Sequence, residues 1–163
     1  MFSRAIAAGL LAMLPVSVFA ADPVMVKSVD VMISLEDLTN AEAASKFVNV
    51  EIDLENAIAA RLINRIAPED GVEVTIDISE LELSNSFTET FNLADTKLAG
   101  IVKVKGTAEN PDSDNYELSV DVNSSMPFFP AGTVVETLSV DSDVYYTTLI
   151  TAFADSVVRK LDE

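Results

Sequence analysis

Hydrophobic residues recur through positions 39–66 at alternating three- and four-residue spacings: Phe47, Val50, Leu54, Ile58, Leu62 and Ile66. At 3.6 residues per turn these fall on one face, so the spacing predicts an amphipathic helix over residues 39–66. Thr39 and Glu42 stand at the separation of a capping box, in which each side chain accepts from the other residue's backbone amide. Pro68 ends the helix, because proline disfavours helical geometry at Ala67 and has no amide to donate. Lys46, Glu51, Glu55 and Asn56 lie off the stripe. Burying six such side chains stabilises by ~1.5–3 kcal/mol each before entropy is counted, so this helix needs a sheet to cover.

The sheet is written in period two. Over residues 25–35 the odd positions Met25, Lys27, Val29, Val31, Ile33 and Leu35 oppose a polar set that includes Ser28, Asp30 and Ser34, which predicts a half-buried first strand. After a turn at 68–71, Val72, Val74, Ile76 and Ile78 alternate with Glu73, Thr75, Asp77 and Ser79. The apolar phase then slips to Leu81 and Leu83, the signature of a β-bulge at Ser79 and Glu80. Residues 98–107 predict a third strand, with Gly100 at a point where a neighbour approaches closely. A hairpin connection at 108–115 leads to a fourth strand, where Tyr116, Leu118, Val120 and Val122 alternate with polar residues.

Two connections are long. Residues 84–97 are polar but carry Phe87, Phe91 and Leu93, and read as a loop or extended excursion. Residues 124–140 contain Met126, Pro127, Phe128, Phe129 and Pro130 in succession, and the prolines exclude a central strand or a helix. A second helix follows, capped by Asp141 or Ser142. Its apolar face is Tyr145, Leu149, Ala152, Phe153, Val157 and Leu161, and Arg159 and Lys160 in its last turn complement the helix dipole. The order β-α-β-β-β-α predicts an α+β two-layer sandwich: a four-stranded, largely antiparallel sheet with two helices on one face.

Residues 1–20 lie outside that fold. Arg4 precedes an apolar run from Ala5 to Phe19 that is too short to span a bilayer and is interrupted by Pro15. Val18, Phe19 and Ala20 then fit a cleavage site. The expected organisation is a signal peptide over 1–20 and a single α+β domain over 21–163, soluble and either periplasmic or secreted, with no integral membrane segment after signal removal.

Composition narrows the chemistry. The 163 residues contain no Cys and no His. Disulfides, thiol catalysis, Ser-His-Asp catalysis and the usual zinc and haem sites are therefore excluded. Only five glycines are present and neither a P-loop nor a dinucleotide fingerprint occurs. No cofactor and no metal is expected. With 27 acidic against 10 basic residues the net charge is −17, which repels nucleic acid and anionic membranes. Two weak carboxylate constellations remain. Asp112, Asp114 and Glu117 offer hard oxygens of the kind calcium takes, but in a turn that uses Asp, Ser and Asn anyway. Glu80 with Glu82, or Asp112 with Asp114, are close enough in sequence for acid–base hydrolysis.

The segment least explained by folding is 126–130. Met126, Phe128 and Phe129, joined by Phe87 and Phe91 if the two loops meet at one edge, form a candidate apolar contact surface for an envelope protein, a peptide or a lipid. The element order behind an export signal resembles that of small bacterial envelope proteins that assist outer-membrane assembly or transport, a resemblance of architecture alone. The expectation is an exported, soluble, non-enzymatic binding or accessory module of the cell envelope. The alternatives are a carboxylate-based hydrolase and a purely structural, self-associating protein.

Overall fold

Strand β1 (Val26–Ile33) and strand β2 (Val72–Glu82) lie side by side and parallel, because helix α1 (Val50–Arg61) carries the chain back over one face of the sheet between them. Strands β3 (Lys97–Lys105) and β4 (Asp114–Asp121) then add antiparallel in sequence order, giving β1-β2-β3-β4. The sheet is therefore mixed, not largely antiparallel: a β-α-β crossover returns its second strand in the direction of the first. The structure, a computed structural model, describes residues 22–33, 48–82, 97–107, 113–138 and 142–163, with backbone alone at 80–82 and 136.

Register puts the alternating apolar positions of the four strands on the helix-covered face and leaves Met32 and Ile101, both opposite Asp77, exposed. Val31, Ile76, Val102 and Tyr116 form one cross-strand row, and Ile33, Ile78, Gly100 and Leu118 form the next. Beyond Ile78 the pairing steps from Gly100 to Ala99 opposite Glu80, so Ser79 is the extra residue of a bulge where the phase slip predicts one. Gly100 is the expected close approach: a Cβ there would stand 2.8 Å from the Asp77 carbonyl oxygen.

The start of β1 departs from strict alternation. Val26 is fully buried and Met25 exposed, and the register shifts between Val26 and Ser28 before Val29, Val31 and Ile33 take the inward side. Gly71 lies against this irregular peptide, with a hypothetical Cβ only 2.3 Å from Lys27 N. The Val26 amide donates to Arg65 O and the Ala67 amide to Val26 O, each at 2.8 Å, so residues 65–67 form a short parallel bridge beside β1.

That bridge also explains why α1 stops short of Pro68. The Leu62 amide donates to both Ile58 O and Ala59 O, closing the last turn, after which the backbone is committed to Val26. Val50, Leu54, Ile58 and Leu62 are fully buried as their spacing predicts, whereas Ile66 is 44% exposed and off the stripe. Phe47 and the Thr39 and Glu42 cap lie outside the described residues.

Helix α3 (Asp143–Lys160) buries Tyr145, Leu149, Ala152, Phe153 and Val157 beside α1, and the Ser142 hydroxyl caps it by accepting from the Tyr145 amide. Between β4 and α3, the predicted strand position Val122 instead opens a one-turn helix, α2 (Val122–Ser125). Asp121 and Ser124 form its reciprocal capping box, at 2.7 Å and 2.9 Å. A 3-10 turn, Met126–Phe128, follows directly with Pro127 in its first turn. The prolines bar a long helix here but sit without cost where the first amides of a turn have no partner.

Candidate functional site

Consecutive phenylalanines at the end of the 3-10 turn have different surroundings. The Phe129 ring stacks on Tyr145 with centroids 6.4 Å apart, and Tyr145 is fully buried, so Phe129 fastens the loop to the core. Phe128 is half-buried and packs at the core margin, while Met126 is 50% exposed. Of the five expected contact residues, the structure places these three in one loop. Phe87 and Phe91 lie outside the described residues.

Phe128 forms one wall of an open recess of about 280 Å³ completed by Pro130, Asp143, Val144, Thr147, Thr148 and Thr151. The Thr148 hydroxyl donates to the Val144 carbonyl at 2.7 Å and so faces its own helix. Asp143 is the one charged residue among the described residues of the lining. The α3 contribution was readable in principle: Val144, Thr147, Thr148 and Thr151 are uncharged at helical spacing, a second face next to the core stripe. The recess can hold an apolar side chain and offer a carboxylate at its rim. Among the described residues of its lining there is no second titratable group with which Asp143 could exchange a proton.

A second recess, of about 250 Å³, is polar and lined by Lys27, Glu69, Glu73 and Lys105 with Gly71, Gly106 and Thr107. Its charges compensate one another. Lys27 and Lys105 donate to opposite oxygens of Glu73 at 2.8 Å and 3.0 Å. Hydrogen bonding by Lys27, then by Lys105, holds the Glu73 carboxyl down at about 2. The cluster joins the ends of three adjacent strands.

Other candidates are not assembled. Among the described residues no three acidic side chains converge in a way that would hold a metal ion. Asp114 accepts from the adjacent Asn115 amide at 2.8 Å. Asp112 lies outside the described residues, as do the side chains of Glu80 and Glu82. No helix among the described residues is long and apolar enough to cross a membrane.

No protein-family model and no curated protein matches the chain. Solved structures share its outline at low similarity. A candidate lipoprotein from Caulobacter crescentus CB15 has 11% identity and a TM-score of 0.36 over 83% of this chain and 88% of its own. A PelC dodecamer from Paraburkholderia phytofirmans, solved as a point variant, has 11% identity and a TM-score of 0.36 over 81% and 91%. Likeness at this level carries no argument about partner or activity.

Proposed function

We propose that the chain is an exported, non-enzymatic binding or accessory module of the cell envelope, periplasmic or secreted once residues 1–20 are removed, and that it takes an apolar segment of another envelope protein at the 126–130 loop. The observation that carries this reading is the difference between two half-buried phenylalanines: Phe129 stacks on buried Tyr145, whereas Phe128 forms a wall of an open recess. The volume lies just below the ~300–1,000 Å³ of small-molecule pockets and suits a single large side chain. Asp143 at the rim favours a Lys or Arg next to that side chain. The same carboxylate, with the net charge of −17, disfavours an anionic lipid surface, which supports a polypeptide partner over a lipid. Acid–base hydrolysis needs two carboxyl groups flanking one bond, and among the described residues of the recess lining Asp143 has no such companion.

The chain contains no Trp, so a Trp in a test peptide reports on the peptide alone. Titrating a short peptide carrying Trp followed by Arg should give a saturable blue shift. Met126→Ser with Phe128→Ser should abolish the shift while the variant keeps the folded circular dichroism spectrum, and Asp143→Asn should weaken binding and reduce its salt dependence. A shift of equal size and midpoint in the Met126, Phe128 variant would overturn this reading.

A further inference from the structure

Strand β1 is the outermost strand on its side of the described sheet. Such a strand turns alternate backbone amides away from its neighbour, where they invite pairing with another chain. At the start of β1 the Val26 amide is taken by Arg65 O, and farther along two more are occupied by side chains. The Val31 amide donates to Glu55 Oε1 at 3.1 Å, and the Ile33 amide donates to Glu51 Oε1 at 2.8 Å. Both carboxylates belong to α1, which runs back antiparallel to β1, so the later helix residue meets the earlier strand residue. The spacings are commensurate: four helical residues rise ~6 Å and two strand residues ~6.6 Å. A pair of acids four apart can therefore satisfy two amides two apart without bending either element.

We infer that Glu51 and Glu55 serve as an internal surrogate for a fifth strand, closing the β1 edge against strand addition by a second copy of this chain. Each carboxylate oxygen stands where a carbonyl of an added strand would accept. An arriving backbone would have to displace both, and its own carbonyls would approach two negative charges. The guard is needed because β1 itself is an attractive template: Val29, Val31 and Ile33 are β-branched, no Pro interrupts the strand, and its formal charges are one Lys and one Asp. Glu51 and Glu55 have no role in the core stripe of α1, and this contact gives them one.

Residue-resolved hydrogen–deuterium exchange of the full chain tests the contact, and sedimentation tests its consequence. In the wild-type protein the Val31 and Ile33 amides should be protected. In Glu51→Ala with Glu55→Ala they should exchange roughly tenfold faster or more, with the Val74 and Ile76 amides unchanged, and a dimer should appear at concentrations where the wild type sediments unchanged. Glu51→Gln with Glu55→Gln keeps an acceptor at each amide and should retain both the protection and the wild-type mass. Exchange of the wild-type Val31 and Ile33 amides at unstructured rates overturns the inference even if the alanine variant fails to fold. So does a folded alanine variant whose mass stays that of the wild type as concentration rises.

Discussion

The Tyr146 hydroxyl donates to Asp53 Oδ2 at 2.5 Å, joining α3 to α1 along the solvent side of the layer that covers the sheet. Arg61 of α1 makes a parallel link, its Nη2 donating to Thr151 O at 3.2 Å. These bonds fix the relative slide of the two helices, which apolar packing alone specifies weakly. They also set the position of the α3 turn that forms the recess beside Phe128.

Removing the phenol should loosen that slide at modest cost. A hydrogen bond to a charged group contributes ~1.5–3 kcal/mol when buried, and partial exposure here reduces the expectation for Tyr146→Phe to about 1 kcal/mol. Urea unfolding of Tyr146→Phe, Asp53→Ala and the double variant would measure it. The double variant should lose less than the sum of the singles, because both single changes remove the same bond.

Alkaline pH should destabilise the fold through two tyrosines. Burial, followed by the Asp53 bond, pushes the Tyr146 phenol above its ordinary value, and burial, followed by Asp114 and Glu163, pushes Tyr116 up to about 12. A raised folded-state value means that the folded protein holds its proton more tightly. The contribution is complete below ~10, the unfolded value, and is lost as pH climbs through the folded values. Urea midpoints followed from pH 8 upward should fall above pH 10, and Tyr116→Phe or Tyr146→Phe should flatten the fall. Tyr116→Phe should also be neutral or stabilising at pH 7, since its buried hydroxyl has no hydrogen-bond partner among the described residues.

The elements legible in the sequence are those whose local pattern and tertiary environment agree. Val50, Leu54, Ile58 and Leu62, the alternation of β2 through β4, and the bulge at Ser79 follow from periodicity, because one buried face demands it. What escaped depended on partners far along the chain. The end of α1 is set by Val26 claiming the Arg65 and Ala67 backbone, which no propensity records. The helical turn at Val122 arises from a capping box between Asp121 and Ser124 that ordinary strand alternation hides. At the candidate site, Phe128 was readable as apolar excess after a proline, but its different surroundings from Phe129 were not, because only the position of Tyr145 decides which ring it stacks on.

Two glycines give a graded test of backbone proximity. A Cβ at Gly100 would meet the Asp77 carbonyl oxygen at 2.8 Å, whereas one at Gly71 would meet Lys27 N at 2.3 Å and Val26 C at 2.4 Å. Both neighbours are backbone within pairing networks and cannot rotate aside. Gly100→Ala should destabilise by ~1–3 kcal/mol, the usual cost of overpacking, and Gly71→Ala by more. Denaturant midpoints in that order would support the close approach of the β1 start to the turn before β2. Equal effects would count against it.

The Glu73 cluster makes the last prediction, at the opposite end of the pH scale. Because Lys27 and Lys105 hold the folded carboxyl at about 2, its favourable contribution is present above the unfolded value of ~4.3 and is lost as pH falls toward 2. A carboxyl-detected NMR titration should place the Glu73 midpoint well below those of the other glutamates. Lys27→Met with Lys105→Met should return it to the ordinary range. The two lysines are 45% and 74% exposed, so molar salt, with a screening length of ~3 Å, should raise the midpoint part of the way in the unmodified protein. A midpoint insensitive to both changes would mean that the ion pairs do not persist in solution. The polar recess would then contain two unpaired cations rather than a neutralised strand-end clamp.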